Sequence, residues 1–247
     1  MAKLLHTLDD THSIYQHSDG FLFGTDAVLL AAFIRTRKNK VGVEFGTGTG
    51  IIPLLLSIHK EFKHLYAIEI QEDYASLARE NLALNGFSHR VDVVCGDLKE
   101  AARLVPSPCD FVFCNPPYMK KESGKENLNE KKRIARHEIL CDIEDVCRSA
   151  ASLLQDKGEF FCVYRLDRMA ELFFSLKKNL LEPKDVVFVT PKPDSIPSLI
   201  LVRAVKGARP GLLTRRPFVV QDESGEKTAE CQRLYETGMM EYGRQKK

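Results

Sequence analysis

An open α/β fold, doubly wound around one mostly parallel seven-stranded sheet, is predicted by three features of this 247-residue chain. From residue 41 onward, apolar runs of strand length alternate with segments of helical period, the pattern of helices crossing over between parallel strands. Glycines at 46, 48 and 50 punctuate the first strand-to-helix turn, and open sheets of this kind bind ligands at the carboxyl ends of their strands. Two strands close the series with no helix between them, which implies an antiparallel hairpin at one sheet edge.

The elements follow in order. "KVGVEFG" reads as a buried strand, with "IIPLLLSIHKEF" as the helix behind it. "HLYAIEI" is a second strand, followed by the helical "EDYASLARENLALNG", whose Asn85-Gly86 has the character of a C-cap. "RVDVVCGD" and "DFVFCN" are the third and fourth strands, with the short helix "LKEAARLV" between them. After a polar stretch come the helix "DIEDVCRSAASLLQDKG", the strand "EFFCVYR" and the helix "LDRMAELFFSLKKNL". Strands "KDVVFVTP" and "SLILVRAVK" end the series. Residues 1–40 predict a small hairpin around Ser18-Asp19-Gly20 and a helix from near Asp26; residues 208–247 predict extended segments and a terminal helix. These are decorations on a 41–207 core, and the whole chain, 1–247, reads as a single domain.

Composition excludes several classes. A hydrophobic content of 44% with 28% charged residues is that of a soluble globular protein. The longest clean apolar run, Ala27 to Ile34, is far too short to cross a bilayer, and the N-terminal residues lack the apolar centre of a signal peptide; a cytoplasmic protein with no membrane association is expected. Seven cysteines without a Cys-x-x-Cys pair read as reduced, mostly buried thiols, and no histidine pairs with them at metal-ligand spacing, so no metal is expected. A net charge of +2 neither demands nor excludes a nucleic acid partner.

The loop "VEFGTGTG" lets the backbone turn tightly and lets a ligand approach the main chain. Its G-x-G-x-G spacing lacks the extra residue of the dinucleotide fingerprint, which disfavours a pyrophosphate on the helix N-terminus. The second strand ends near Glu69, about 20 residues past the loop, where an acid can hold both ribose hydroxyls. The third ends at Gly96-Asp97, where a carboxylate could accept from an adenine amino group. One strand-end acid ordinarily just faces water; a glycine loop and two acids at three successive strand ends point instead to an adenine nucleoside without phosphates.

In the order "VEFGTGTG", "AIEI", "CGD", "NPPY" the chain resembles the class I S-adenosylmethionine-dependent methyltransferases, a Rossmann-like fold. The resemblance implies S-adenosylmethionine as cofactor, with Gly46, Gly48 and Gly50 against its methionine part, Glu69 on ribose and Asp97 on adenine. It also implies that Glu44, two residues before the loop, faces the methionine ammonium.

Asn115-Pro116-Pro117-Tyr118, at the fourth strand end, has a chemical reading of its own. An exocyclic amine on adenine is a poor nucleophile because its lone pair is delocalised into the ring. Two acceptors gripping its two N–H bonds favour a pyramidal nitrogen and aim the lone pair. The Asn115 side-chain oxygen and the Pro116 carbonyl can serve, held by prolines that fix φ, and the Asn115 side chain also borders the cofactor pocket. Tyr118 offers a face for stacking a base, worth roughly 1–3 kcal/mol. Positioning and electrostatics rather than a general base then carry the rate. The same tetrapeptide occurs in methyltransferases for adenine N6, guanine N2 and protein glutamine, so it specifies the chemistry better than the substrate.

Lys120 to Glu138 carries seven Lys or Arg and four Asp or Glu, and such a basic loop beside a base pocket suits a phosphate backbone, though a solvated linker fits the charge equally. "RAVKGARPGLLTRRPF" adds Arg203, Lys206, Arg209, Arg215 and Arg216. Lys120, Lys121, Arg215 and Arg216, with Tyr118, are the substrate-binding candidates. "FLFGTDAVLLAAF", "NPPY", "ARHE" and "GEKTAECQRLYE" make nearly the whole chain similar to the bacterial family that methylates N6 of adenine 37 in tRNA(Val). That resemblance implies tRNA as partner and brings Thr25 and Asp26, in a segment that closes over the cofactor, into the pocket; a monomer is favoured. A release-factor glutamine methyltransferase is the nearest alternative, but that family usually carries a separate helical N-terminal domain, and here about 40 residues precede the first strand. An rRNA guanine N2-methyltransferase comes third. A noncatalytic cofactor-binding protein is disfavoured by the intact motifs, and a nicotinamide oxidoreductase by the loop spacing.

Overall fold

The computed structural model describes residues 3–18, 23–116 and 141–241. It opens with strands β1 (Lys3–Thr7) and β2 (Ser13–His17) and helix α1 (Thr25–Phe33). The alternating core is β3 (Val41–Phe45), α2 (Ile51–His59), β4 (His64–Glu69), α3 (Glu72–Leu84), β5 (Val91–Cys95), α4 (Ala101–Leu104), β6 (Cys109–Cys114), α5 (Ile143–Leu153), β7 (Leu154–Arg165) and α6 (Met169–Lys178). Strands β8 (Leu181–Thr190) and β9 (Leu199–Lys206) follow, then the two-residue β10 (Leu213–Thr214) and β11 (Phe218–Val219) and helix α7 (Ala229–Thr237).

The large sheet has the order β10-β8-β9-β7-β6-β3-β4-β5, with β11 also on β8. Strands β3 to β7 are parallel to their neighbours in that group. Their side chains alternate between two cores. Phe111, Phe113, Phe161 and Val163 meet α1, α2 and α7 on one face; Val43, Phe45, Val112, Phe160 and Cys162 meet α5 and α6 on the other. Burial on both faces is why these strands read as continuous apolar runs. Chain order reverses between β3, which leads outward to β4, and β6, which leads outward to β7. The crevice at the carboxyl ends of β3 and β6 is therefore the topological switch point.

The last two long strands form the expected antiparallel hairpin at one end of the sheet, with β9 between β7 and β8. Ile200, Leu201, Val202 and Ala204 are all 0% exposed, because a core covers each face of β9. The structure corrects the sequence reading in three places. The sheet has nine strands, because β10 and β11 run parallel along the outer edge of β8 and cover what would be an open edge. Helix α5 stops at Leu153 instead of continuing to Gly158. The Lys206 ammonium donates to the carbonyls of Ala151 and Leu154, each at 2.6 Å, closing the last turn with a cation. Finally, the N-terminal hairpin turns at residues 8–12, where the Asp9 carboxylate accepts from the N–H groups of Thr11 (2.8 Å) and His12 (2.9 Å). Asp19 and Gly20 of the expected turn lie outside the described residues.

Strand β2 reaches the core through two side-chain amides. Asn81 accepts from the Tyr15 N–H (2.7 Å) and donates to the Tyr15 carbonyl (2.9 Å). One turn later Asn85 makes the same pair with Ser13, at 3.0 and 2.8 Å. Asparagines four apart on one helix face thus replace a neighbouring strand along the edge of β2.

Candidate active site

The turn after β3 is built on left-handed backbone: Gly46 has φ +71° and Gly48 φ +57°. A Cβ at either would meet nothing within 4 Å, so both glycines border open space, where a ligand can lie against bare main chain. Gly50, φ +82°, serves packing, since a Cβ there would stand 3.1 Å from the Ala78 Cβ of α3. The turn is held down by the Ile68 carbonyl, which accepts from Gly46 N–H at 2.8 Å and Thr47 N–H at 3.1 Å.

Glu69, the last residue of β4, is buried at 4% exposure. One carboxylate oxygen accepts from the Gly48 N–H (2.9 Å) and the other from the Gln71 N–H (3.0 Å). Main chain therefore fixes the plane of the carboxylate, and each oxygen keeps a lone pair free for a vicinal diol. Glu44 is deeper still, 1% exposed, and its Oε2 has no hydrogen-bond partner. Burial, chiefly, pushes its carboxyl up to about 8; the nearby Glu69 adds to the shift and the Thr47 side chain opposes it. A buried acid with an unmatched oxygen is costly unless a cation or donor completes it.

Asp97 follows β5 and caps a short turn, accepting from the Lys99 N–H at 2.9 Å, with the Lys99 ammonium 3.4 Å away. Asn115 directly follows β6, and its Nδ2 donates to Asp26 Oδ2 of α1 at 3.1 Å. Pro116 beside it is buried. Thr25, first residue of α1, accepts from the Tyr235 hydroxyl of α7 at 3.4 Å. Pro117, Tyr118, Lys120 and Lys121 lie outside the described residues.

Glu44, Gly48 and Glu69 thus form one cluster, and Asp26 meets Asn115. Arg215 and Arg216, expected at the substrate, each pair with an acid of this chain, and the Arg216 side chain stays 67% exposed. Arg215 donates to Asp185 at 2.6 Å and Arg216 to Glu230 at 2.6 Å. Asp185 belongs to β8, three strand spacings from β6, so Arg215 stands well away from Asn115. Sequence reasoning gave Tyr235 and Lys227 no role, yet the Lys227 ammonium sits 3.4 Å over the Tyr235 ring that reaches Thr25. The available signal was the stretch "GEKTAECQRLYE", which holds both.

The residues present fit S-adenosylmethionine: the unmatched Glu44 oxygen suits its ammonium, the open side of Gly46 and Gly48 its methionine chain, and the Glu69 carboxylate its ribose. Among the described residues no group of His, Cys, Asp and Glu is placed to hold a metal ion, and no helix is long and apolar enough to cross a membrane.

The model of the methyltransferase small domain matches residues 17–180. A relative from Parabacteroides distasonis, named tRNA1(Val) (adenine(37)-N6)-methyltransferase, is 30% identical over 179 residues, 72% of this chain and 74% of that protein. A relative of the same name from Proteus mirabilis is 31% identical over 157 residues, 63% of this chain and 61% of that protein. A solved structure from Agrobacterium tumefaciens, described as a predicted O-methyltransferase, superposes with a TM-score of 0.72 at 21% identity, covering 87% of this chain and 98% of that one. Fold and site define a class I, S-adenosylmethionine-dependent methyltransferase. Within that class, the chain belongs to the methyltransferase small-domain family.

Proposed function

We propose that this methyltransferase acts on N6 of an adenine in tRNA, at position 37 of the anticodon loop of tRNA(Val). The observation that carries the reading is the Asn115 amide at the end of β6. Its nitrogen is turned to Asp26, which leaves its oxygen as an acceptor beside β3, the strand that carries Glu44 and leads into the glycine turn. The names of the Parabacteroides and Proteus relatives support tRNA adenine as the acceptor.

Bound in the cleft, S-adenosylmethionine supplies a methyl group activated on a sulfonium. Glu44 would hold its ammonium end and Glu69 its ribose. Asn115 Oδ1 and the Pro116 carbonyl each take one N–H of the target amine, which turns its lone pair out of the ring plane. Once methylated, that nitrogen would give up one N–H proton to water. Tyr118 stacks on the extruded base, and an anticodon-loop adenine costs only a few kcal/mol to turn outward. Lys120 and Lys121 meet the phosphates around it.

The test is transfer of labelled methyl to bulk tRNA, followed by digestion to nucleosides. N6-methyladenosine is the expected product, with tRNA(Val) the labelled species and position 37 the mapped site. Label absent from RNA but present on release-factor protein would overturn the reading in favour of glutamine. Asn115→Ala is expected to lower kcat by on the order of 100-fold, as loss of one preorganised polar group at a reacting centre does, while the Kd for S-adenosylmethionine stays unchanged.

A further inference from the structure

We propose that Asp26 is a positioning residue for methyl transfer: its carboxylate fixes the Asn115 amide so that oxygen, not NH2, faces the target amine. This rests on the reading of Asn115 as the amine's acceptor.

The argument starts from the amide itself. The last torsion of an asparagine side chain is soft and roughly two-fold, so an unconstrained amide samples both orientations. Only one of them is useful to an amine that presents N–H bonds. In the other, donor meets donor. An ionised carboxylate can only accept, and Asp26 Oδ2 stands 3.1 Å from Asn115 Nδ2. Turning the amide over would set its oxygen against a carboxylate oxygen, so the acid selects the orientation electrostatically. A charge-assisted bond of this kind is roughly twice as strong as a neutral one.

The acid is itself well placed. Asp26 lies in the first turn of α1, a helix whose residues Ala27 to Phe33 are all buried. The preceding residue, Thr25, accepts from the Tyr235 hydroxyl at 3.4 Å, and the Tyr235 ring is covered by Lys227. The first turn of α1 is therefore tied to the C-terminal helix on one side and to Asn115 on the other. This role differs from the one implied by family resemblance, in which Asp26 belongs to the cofactor pocket, and the two differ in what they do to cofactor affinity.

The experiment is a double-mutant cycle on the full-length protein with Asp26→Ala, Asp26→Asn, Asn115→Ala and the Asp26→Ala/Asn115→Ala double variant. The readouts are kcat and KM for tRNA at saturating S-adenosylmethionine, and cofactor Kd by calorimetry. Asp26→Ala is expected to lose on the order of 10- to 100-fold in kcat, the usual cost of removing a group that orients a functional side chain, with Kd and KM within about 2-fold. Asp26→Asn should regain part of the loss, since its amide oxygen still accepts; being nearly isosteric, it also carries the test if the alanine variant folds poorly. The double variant should be no slower than Asn115→Ala, because Asp26 acts only through Asn115. Multiplying losses, or a cofactor Kd that rises while kcat at saturation holds, would overturn the proposal and return Asp26 to the cofactor. Wild-type kcat in Asn115→Ala would instead overturn the reading of Asn115 itself.

Discussion

Burial pushes the Glu44 carboxyl up to about 8, against the opposing Thr47 side chain and with a smaller push from Glu69, so the free protein should carry it largely protonated at pH 7. If it receives the methionine ammonium as proposed, it should ionise. Cofactor binding at pH 7 should therefore release close to one proton per site, and affinity should rise with pH until about 8. Calorimetry in two buffers of different ionisation enthalpy measures that proton directly, and Glu44→Gln should abolish it while weakening binding. The same group sets a stability slope. Its folded pKa lies above the ordinary value of 4.5, so between those pH values the folded state holds a proton that the unfolded state has lost. Stability of the free protein should fall as pH rises from about 4.5 to about 8 and then level off. Thermal melts across that range should lose the slope in Glu44→Gln. The glycine turn and Glu69 could be singled out in the sequence because each lies at a strand end, and Glu44 through the family resemblance. Asp26 and Asn115 are 89 residues apart, and only the order of the sheet brings them together.

At the level of elements, α3 shows what a linear pattern conveys and what it leaves out. Its apolar spacing and the Asn85-Gly86 end mark a helix, and the structure ends it at Leu84 with Asn85 as cap. The pattern gives no sign that Asn81 faces inward, 0% exposed, or that it carries three bonds: two to Tyr15 and one, at 2.9 Å, to the Thr49 carbonyl of the glycine turn. A polar residue on a helix ordinarily marks the solvent face; here it holds an extra strand, whose pairing no local rule encodes. The misplaced hairpin turn and the early stop of α5 have the same origin, since Asp9 and Lys206 act through contacts chosen by the assembled fold. Asn81→Ala would leave the Tyr15 N–H and two carbonyls without that partner. A loss of about 2–4 kcal/mol is expected, at roughly 1–3 kcal/mol per buried group left unsatisfied with partial relaxation. Denaturant unfolding measures it. Because Thr49 lies in the glycine turn proposed to border the cofactor, S-adenosylmethionine binding should weaken in the same variant.

Over the whole molecule, the C-terminal extension closes the sheet by charge. Asp185 in β8 is 0% exposed and accepts from Arg203 of β9 at 2.7 Å and from Arg215, between β10 and β11, at 2.6 Å; Arg203 continues to Glu159 of β7 at 2.5 Å. Burial alone would raise the Asp185 carboxyl, but the bonds and charges of the two arginines outweigh it and hold it below the ordinary value. Its folded pKa is thus depressed, so its contribution is present above the unfolded value of about 3.8 and lost as pH falls through the folded one. Read along the chain, Arg203, Lys206, Arg215 and Arg216 form a basic stretch suited to RNA. In the fold each meets an acid or a helix-end carbonyl of its own chain. Arg215→Ala should therefore act on stability, with a cost of about 1–3 kcal/mol for one lost charge-assisted bond, since Asp185 keeps Arg203. The rival expectation is a phosphate contact, whose loss would flatten the dependence of tRNA affinity on salt by about 0.7–0.9 in the log–log slope. Thermal melts and tRNA binding titrated over salt separate the two, because a residue committed to Asp185 lowers the melting temperature and leaves that slope where it was.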